Sequence, residues 1–161
     1  MKGKITIPLI EFEEIEKDPM PNSKTMFLLW IDDKTTEAHA TWESLKNIKK
    51  NSVMIPLLST EELKDWLNTH KTLLNDKAAE FVMVTNMTRV EKGVKNEEAG
   101  AEAIKEFRKF IPVGHILVYI GWVEGTLQKL KKHQISINNT IKVSNSSDEL
   151  KKFLKVYGGL S

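Results

Sequence analysis

Apolar residues fall along the chain in short continuous runs, separated by segments in which they recur every three or four positions. Met26-Phe27-Leu28-Leu29-Trp30-Ile31 is the first such run, and the segment after it spaces Ala38, Trp42, Leu45 and Ile48 along one helical face. A short run without alternation is what a strand buried on both sides requires, whereas the wider spacing fits an amphipathic helix. The pair recurs at Val53-Met54-Ile55-Pro56-Leu57-Leu58, where Ser59-Thr60-Glu61-Glu62 forms a capping box before Leu63, Trp66, Leu67, Leu73 and Leu74. A third run, Phe81 to Val84, ends in the polar Thr85-Asn86; a charged loop containing Gly93 then leads to a helix carrying Ala103, Ile104, Phe107 and Phe110. The fourth, His115 to Ile120, passes through Gly121 into Val123, Leu127 and Leu130, and the fifth, Thr140 to Ser144, is short. Its helix is clear, because Ser146 and Glu149 cap Leu150, Phe153, Leu154 and Tyr157.

Five strand-then-helix units over residues 25–161, with no hairpin signals between them, predict an α/β domain. The expected architecture is a flavodoxin-like, doubly wound, five-stranded parallel sheet with helices on both faces. Residues 1–24 read as an acidic arm and linker. Glu11 to Asp18 holds five acids and one Lys, Pro19 and Pro21 close the run, and Pro8 confines the strand-like alternation of Lys4 to Phe12 to an edge.

Composition narrows the chemistry. Among 161 residues there is no cysteine, so disulfides, thiolate zinc sites and thiol nucleophiles are excluded. A formal charge of +2 is too small for the concentrated basic face of a nucleic-acid binder. That balance hides an asymmetry: from Lys105 onward ten basic residues face four acids, against the acidic front. No run reaches the roughly 18 to 20 apolar residues of a membrane span and the N-terminus does not read as a signal peptide, so the expectation is a cytoplasmic protein without membrane insertion. His39, His70, His115 and His133 lack metal-pair spacing, and no serine-hydrolase elbow or phosphate-binding P-loop is present.

In a doubly wound sheet, ligand-facing residues stand just after the strands. After the first strand stands Asp32-Asp33, in Leu28-Leu29-Trp30-Ile31-Asp32-Asp33-Lys34. This segment, in its place within the element order of residues 25–157, resembles the receiver domains of two-component response regulators. There a hydrophobic first strand ends in paired acids that hold a divalent metal, and Gly100 to Arg108 looks like the Gly-led third helix of that family. The resemblance implies an acceptor aspartate at the end of the third strand, but Asn86 stands there, or Thr85 in the alternative alignment. An amide cannot form an acyl phosphate. Where the family has a switch hydroxyl, Ile120-Gly121-Trp122 occurs, with Tyr119 and Thr126 nearby; Lys142 matches the family's lysine, followed by Val143 in place of Pro.

The resemblance therefore implies a pseudo-receiver: a non-catalytic regulatory and protein-interaction module, not an enzyme. Its degenerate pocket comprises Asp32, Asp33, Asn86, Gly121 and Lys142. Asp32 and Asp33 would hold Mg²⁺ weakly at most, and no other cofactor is expected. Trp122 either fills the vacated pocket, covers the next helix or projects as a binding anchor. The expected partner is a protein, with self-association through the fourth and fifth helices as one form of it. The alternative is a Mg²⁺-binding atypical receiver or a TIR-like nucleotide-recognising domain. The latter needs a glutamate in the cleft, and Glu61 and Glu62 fit better in the first turn of a helix.

Overall fold

The computed structural model describes residues 25–34 and 52–157. The arm over 1–24, the helix expected to carry Ala38, Trp42, Leu45 and Ile48, and residues 158–161 lie outside the described residues. The elements are β1 (Met26–Ile31), β2 (Ser52–Leu57), α1 (Thr60–Thr69), α2 (Lys71–Lys77), β3 (Phe81–Thr85), β4 (Arg89–Glu91), β5 (Val94–Asn96), α3 (Ala99–Phe110), β6 (Ile116–Tyr119), α4 (Val123–Lys132), β7 (Ile141–Ser144) and α5 (Ser147–Tyr157). Strands β2-β1-β3-β6-β7 form one sheet in that order, every neighbouring pair parallel. The flavodoxin-like doubly wound arrangement read from the sequence is the one adopted.

Alternate strand residues feed opposite faces. Phe27, Leu29, Ile31, Ile55, Met83 and Val118 pack with Leu63 and Leu67 of α1, Leu74 of α2, Phe107 of α3 and Leu130 of α4. On the other face Leu28, Trp30, Val82, Val84 and Leu117 meet Leu150, Phe153 and Leu154 of α5. A strand buried on both sides has no room for a polar alternation, which is why β1 and β3 read as continuous apolar runs. At both predicted capping boxes the serine half forms, whereas the Glu62 carboxylate reaches back to the Leu58 N–H and the Ser146 N–H donates to Ser144 Oγ. Ser59 Oγ accepts from the Glu62 N–H at 3.0 Å, and Ser146 Oγ accepts from the Glu149 N–H at 3.2 Å.

Two local readings change. The charged loop after β3 is a hairpin, β4 and β5 pairing antiparallel with Arg89 opposite Asn96 and Val90 opposite Lys95. Its two-residue turn is Lys92-Gly93, with φ of 55° and 77°. Two successive left-handed residues twist the way paired strands do, so a Lys-Gly pair closes a hairpin that an Asn-Gly would have announced. Likewise, Leu63 to Leu74 do not share one helix. His70, at φ −110° and ψ 33°, ends α1 and begins α2, with its ring stacked 4.0 Å from Trp66.

Candidate functional site

The chain leaves β1 for β2 on one side and returns to β3 on the other, so strand order reverses between β1 and β3. Crevices open at the carboxyl ends of strands at such a point. Here the crevice is a cleft of about 800 Å³ lined by the ends of β1, β3 and β6, by the β4–β5 hairpin and by α4.

The parallel register sets Ile31 level with Thr85, and the ladder continues one step further, with the Asn86 N–H donating to the Ile31 carbonyl at 3.4 Å. Asp32 and Asn86 are thereby brought side by side. The Asn86 Nδ2 donates to Asp32 Oδ1 at 3.2 Å and to Asp33 Oδ1 at 3.4 Å, while its Oδ1 accepts from Arg89 Nη1 at 2.6 Å. Chemistry fixes this orientation, since carboxylates can only accept and a guanidinium can only donate. Asn86, not Thr85, is the residue that meets the acid pair. Thr85 is fully buried, donates to the Asn86 carbonyl and accepts from Arg89.

Each acid is also held by the backbone. Asp32 Oδ1 accepts from the Lys34 N–H at 2.8 Å, and Asp33 Oδ2 from the Val90 N–H at 2.9 Å, which ties the hairpin to the end of β1. A divalent cation, as the receiver resemblance implies, would need oxygen ligands converging on one point. Asn86 instead turns its N–H₂ to the carboxylates, with its oxygen committed to Arg89. Among the described residues no group of three His, Cys, Asp or Glu is placed to hold a metal. As arranged, these side chains do not fit Mg²⁺; the amide lies where a cation's positive charge would be wanted.

Arg89 is the residue the sequence undervalued. Only 1% exposed, it pairs through Nε with Glu91 at 2.8 Å, and Nη2 donates to Thr60 Oγ1 at 2.8 Å and to the Ala99 carbonyl at 2.9 Å. One side chain thus ties β3, the hairpin and the N-terminal ends of α1 and α3 together. The alternation Arg-Val-Glu before Lys-Gly was the available signal. A charged side chain persists in an interior only when its donors are met, and every Arg89 nitrogen is. Close packing of the same region depends on Gly100, whose N–H donates to the Met87 carbonyl at 2.8 Å. A Cβ there would lie 2.3 Å from the Asn86 carbonyl oxygen and 2.8 Å from Met87 Cα.

Trp122 stands at the mouth of the cleft, 68% exposed. Its ring lies across Gly125 in the first turn of α4, so close that a Cβ at Gly125 would fall 2.2 Å from Trp122 Cε3. The aromatic therefore covers the next helix with one face and leaves much of its surface open; it does not fill the pocket. Gly121 lines the cleft with open space about it, and Tyr119 and Thr126 line it as well. Lys142 does not. It sits in mid-strand of β7, level with Leu117 and two residues short of the strand's end, and the cations lining the cleft are Lys34, Arg89, Lys95 and Lys129. Nor do Glu61 and Glu62 line it. Glu62 Oε1 accepts from the Leu58 N–H, and Glu61 pairs at 2.7 Å with Lys92 of the hairpin, which holds its carboxyl below the ordinary range.

No protein-family model matches the chain, and no curated protein matches it either. Among the described residues no helix is long and apolar enough to cross a membrane.

Proposed function

We propose that the chain is a non-catalytic, receiver-like regulatory module of the cytoplasm that works by recognising another protein. The observation that carries this reading is the Asn86 amide, hydrogen-bonded to Asp32 and Asp33 through Nδ2 and to Arg89 through Oδ1. At the strand end where phosphotransfer needs a carboxylate nucleophile, the side chain is neutral and fully engaged. Further support comes from the acid pair, whose oxygens turn to N–H donors and not to a common point, and from Lys142, which stands outside the cleft. What is left at the end of the sheet is a firmly braced surface with an open aromatic at its rim.

Backbone amide shifts recorded while Mg²⁺ and beryllofluoride are added test the reading. The expected result is no saturable change at Asp32, Asp33 or Asn86 in millimolar additions. Saturable shifts at those three residues would establish a working phosphoryl site and overturn it.

A further inference from the structure

The same cleft brings unlike groups together. Its lining includes Val90 of the hairpin, 55% exposed, with its cross-strand partner Lys95, and Trp122, the residue just before α4. The acid pair at the end of β1 lines the same cleft. A glycine within a helix is disfavoured relative to alanine, and at Gly125 the missing Cβ leaves the room in which the Trp122 ring sits.

We infer that this cleft receives an arginine side chain of a partner protein, its guanidinium against the open face of Trp122 and its N–H groups toward Asp33. The inference deepens the proposed function and rests on it, since a module that acts by recognition needs an anchor point. Arginine is the side chain whose shape and charge fit both features at once: its planar cation stacks on an indole and donates two parallel hydrogen bonds to a carboxylate. Asp33 accepts from the Asn86 amide and the Val90 N–H, both neutral donors, and forms no ion pair among the described residues. Carboxylate oxygens have further acceptor capacity beyond these two bonds. Of the cations lining the cleft, Arg89 is paired with Glu91, and Lys95 and Lys129 share Glu97 at 3.9 and 3.7 Å, so that Lys34 is the one the guest must outcompete beside the acid pair. Long-range attraction contributes nothing, as the whole chain carries +2. A cationic peptide that binds this protein must do so through a local site.

The probe is an acetylated, amidated nonapeptide with arginine at every third position and glycine elsewhere, titrated into the full chain at low salt. Saturable shifts of the Trp122 indole N–H and the Val90 amide are expected, with binding about tenfold weaker when citrulline replaces arginine. Trp122→Ala and Asp33→Asn each weaken binding by a similar factor. Gly125→Ala displaces the ring without touching either acid, and it too weakens binding while the melting temperature holds or rises. Equal binding of the citrulline peptide, tighter binding of a glutamate peptide, no shift at millimolar peptide, or concentration-dependent dimers that bury Trp122 would each overturn the assignment. A negative result here with the beryllofluoride titration also silent removes the arginine site and leaves the proposed function standing; saturable beryllofluoride shifts remove both.

Discussion

Replacing Asn86 by aspartate changes one N–H₂ group to an oxygen and reverses the electrostatics at the end of β1. The new carboxylate has Asp32 and Asp33 oxygens at 3.2 and 3.4 Å, where the amide now donates. At an effective dielectric of about 20, each repulsion amounts to about 5 kcal/mol, and the gain at Arg89, already in contact at 2.6 Å, offsets about one of them. Protonation sets a ceiling on the remainder, because a neutral carboxylic acid can donate to Asp32 much as the amide does. Raising a carboxyl from its ordinary value of about 3.9 to neutrality costs about 4 kcal/mol at pH 7. The expected loss for Asn86→Asp is therefore about 2–4 kcal/mol, a large part of a domain's stability of about 5–15 kcal/mol. Because the folded-state pKa of the introduced group lies above its unfolded value, the penalty is absent below about pH 4 and grows as pH rises through the folded value. Urea midpoints of the two proteins at pH 7 and pH 4 measure it, and millimolar Mg²⁺ should narrow the gap at pH 7, since three carboxylates then meet. Equal midpoints at pH 7, or a gap independent of pH, would show that the amide does not bridge the acids and refute the reasoning.

Arg89→Met leaves Glu91 without its cation in a confined setting and should cost about 3–5 kcal/mol in urea unfolding. Gly100→Ala forces a Cβ into backbone atoms that cannot swing aside and should cost at least about 2 kcal/mol, read as a drop in melting temperature. His70 and His115 are both held below the ordinary 6.5, His70 by burial against a partial offset from the Trp66 carbonyl, His115 by burial and then by Arg108. Both resist protonation in the fold, so the stability they contribute is present above pH 6.5 and is lost as pH falls toward their lowered values. His115→Phe keeps a ring against Tyr157, 3.8 Å away, and should flatten the decline of melting temperature between pH 7 and pH 5.

Much of the fold was legible because its signals are local. A strand covered on both sides must be apolar throughout, so the runs at Met26, Val53, Phe81 and Ile116 reported strands and, by their lack of alternation, a parallel sheet. The caps at Ser59 and Ser146 each need a partner three residues on and were readable for the same reason. The hairpin was missed because its turn relies on two left-handed backbone residues, one of them Lys92, whose side chain does not advertise that conformation.

The candidate site divides along a similar line. Sequence alone placed Asp32, Asp33 and Asn86 after their strands, and it determined that the third strand ends in Thr85-Asn86 without a carboxylate. Which of Thr85 and Asn86 faces the acids was settled by the β1–β3 register, a relation between residues more than fifty positions apart. Arg89 as a buried tie, Lys142 outside the cleft and Trp122 lying open on Gly125 were likewise decided only in three dimensions. Residue type fixes what a group can donate, accept or ionise. Only the packing of distant strands and helices decides which of those capacities are spent inside the fold and which remain for a partner.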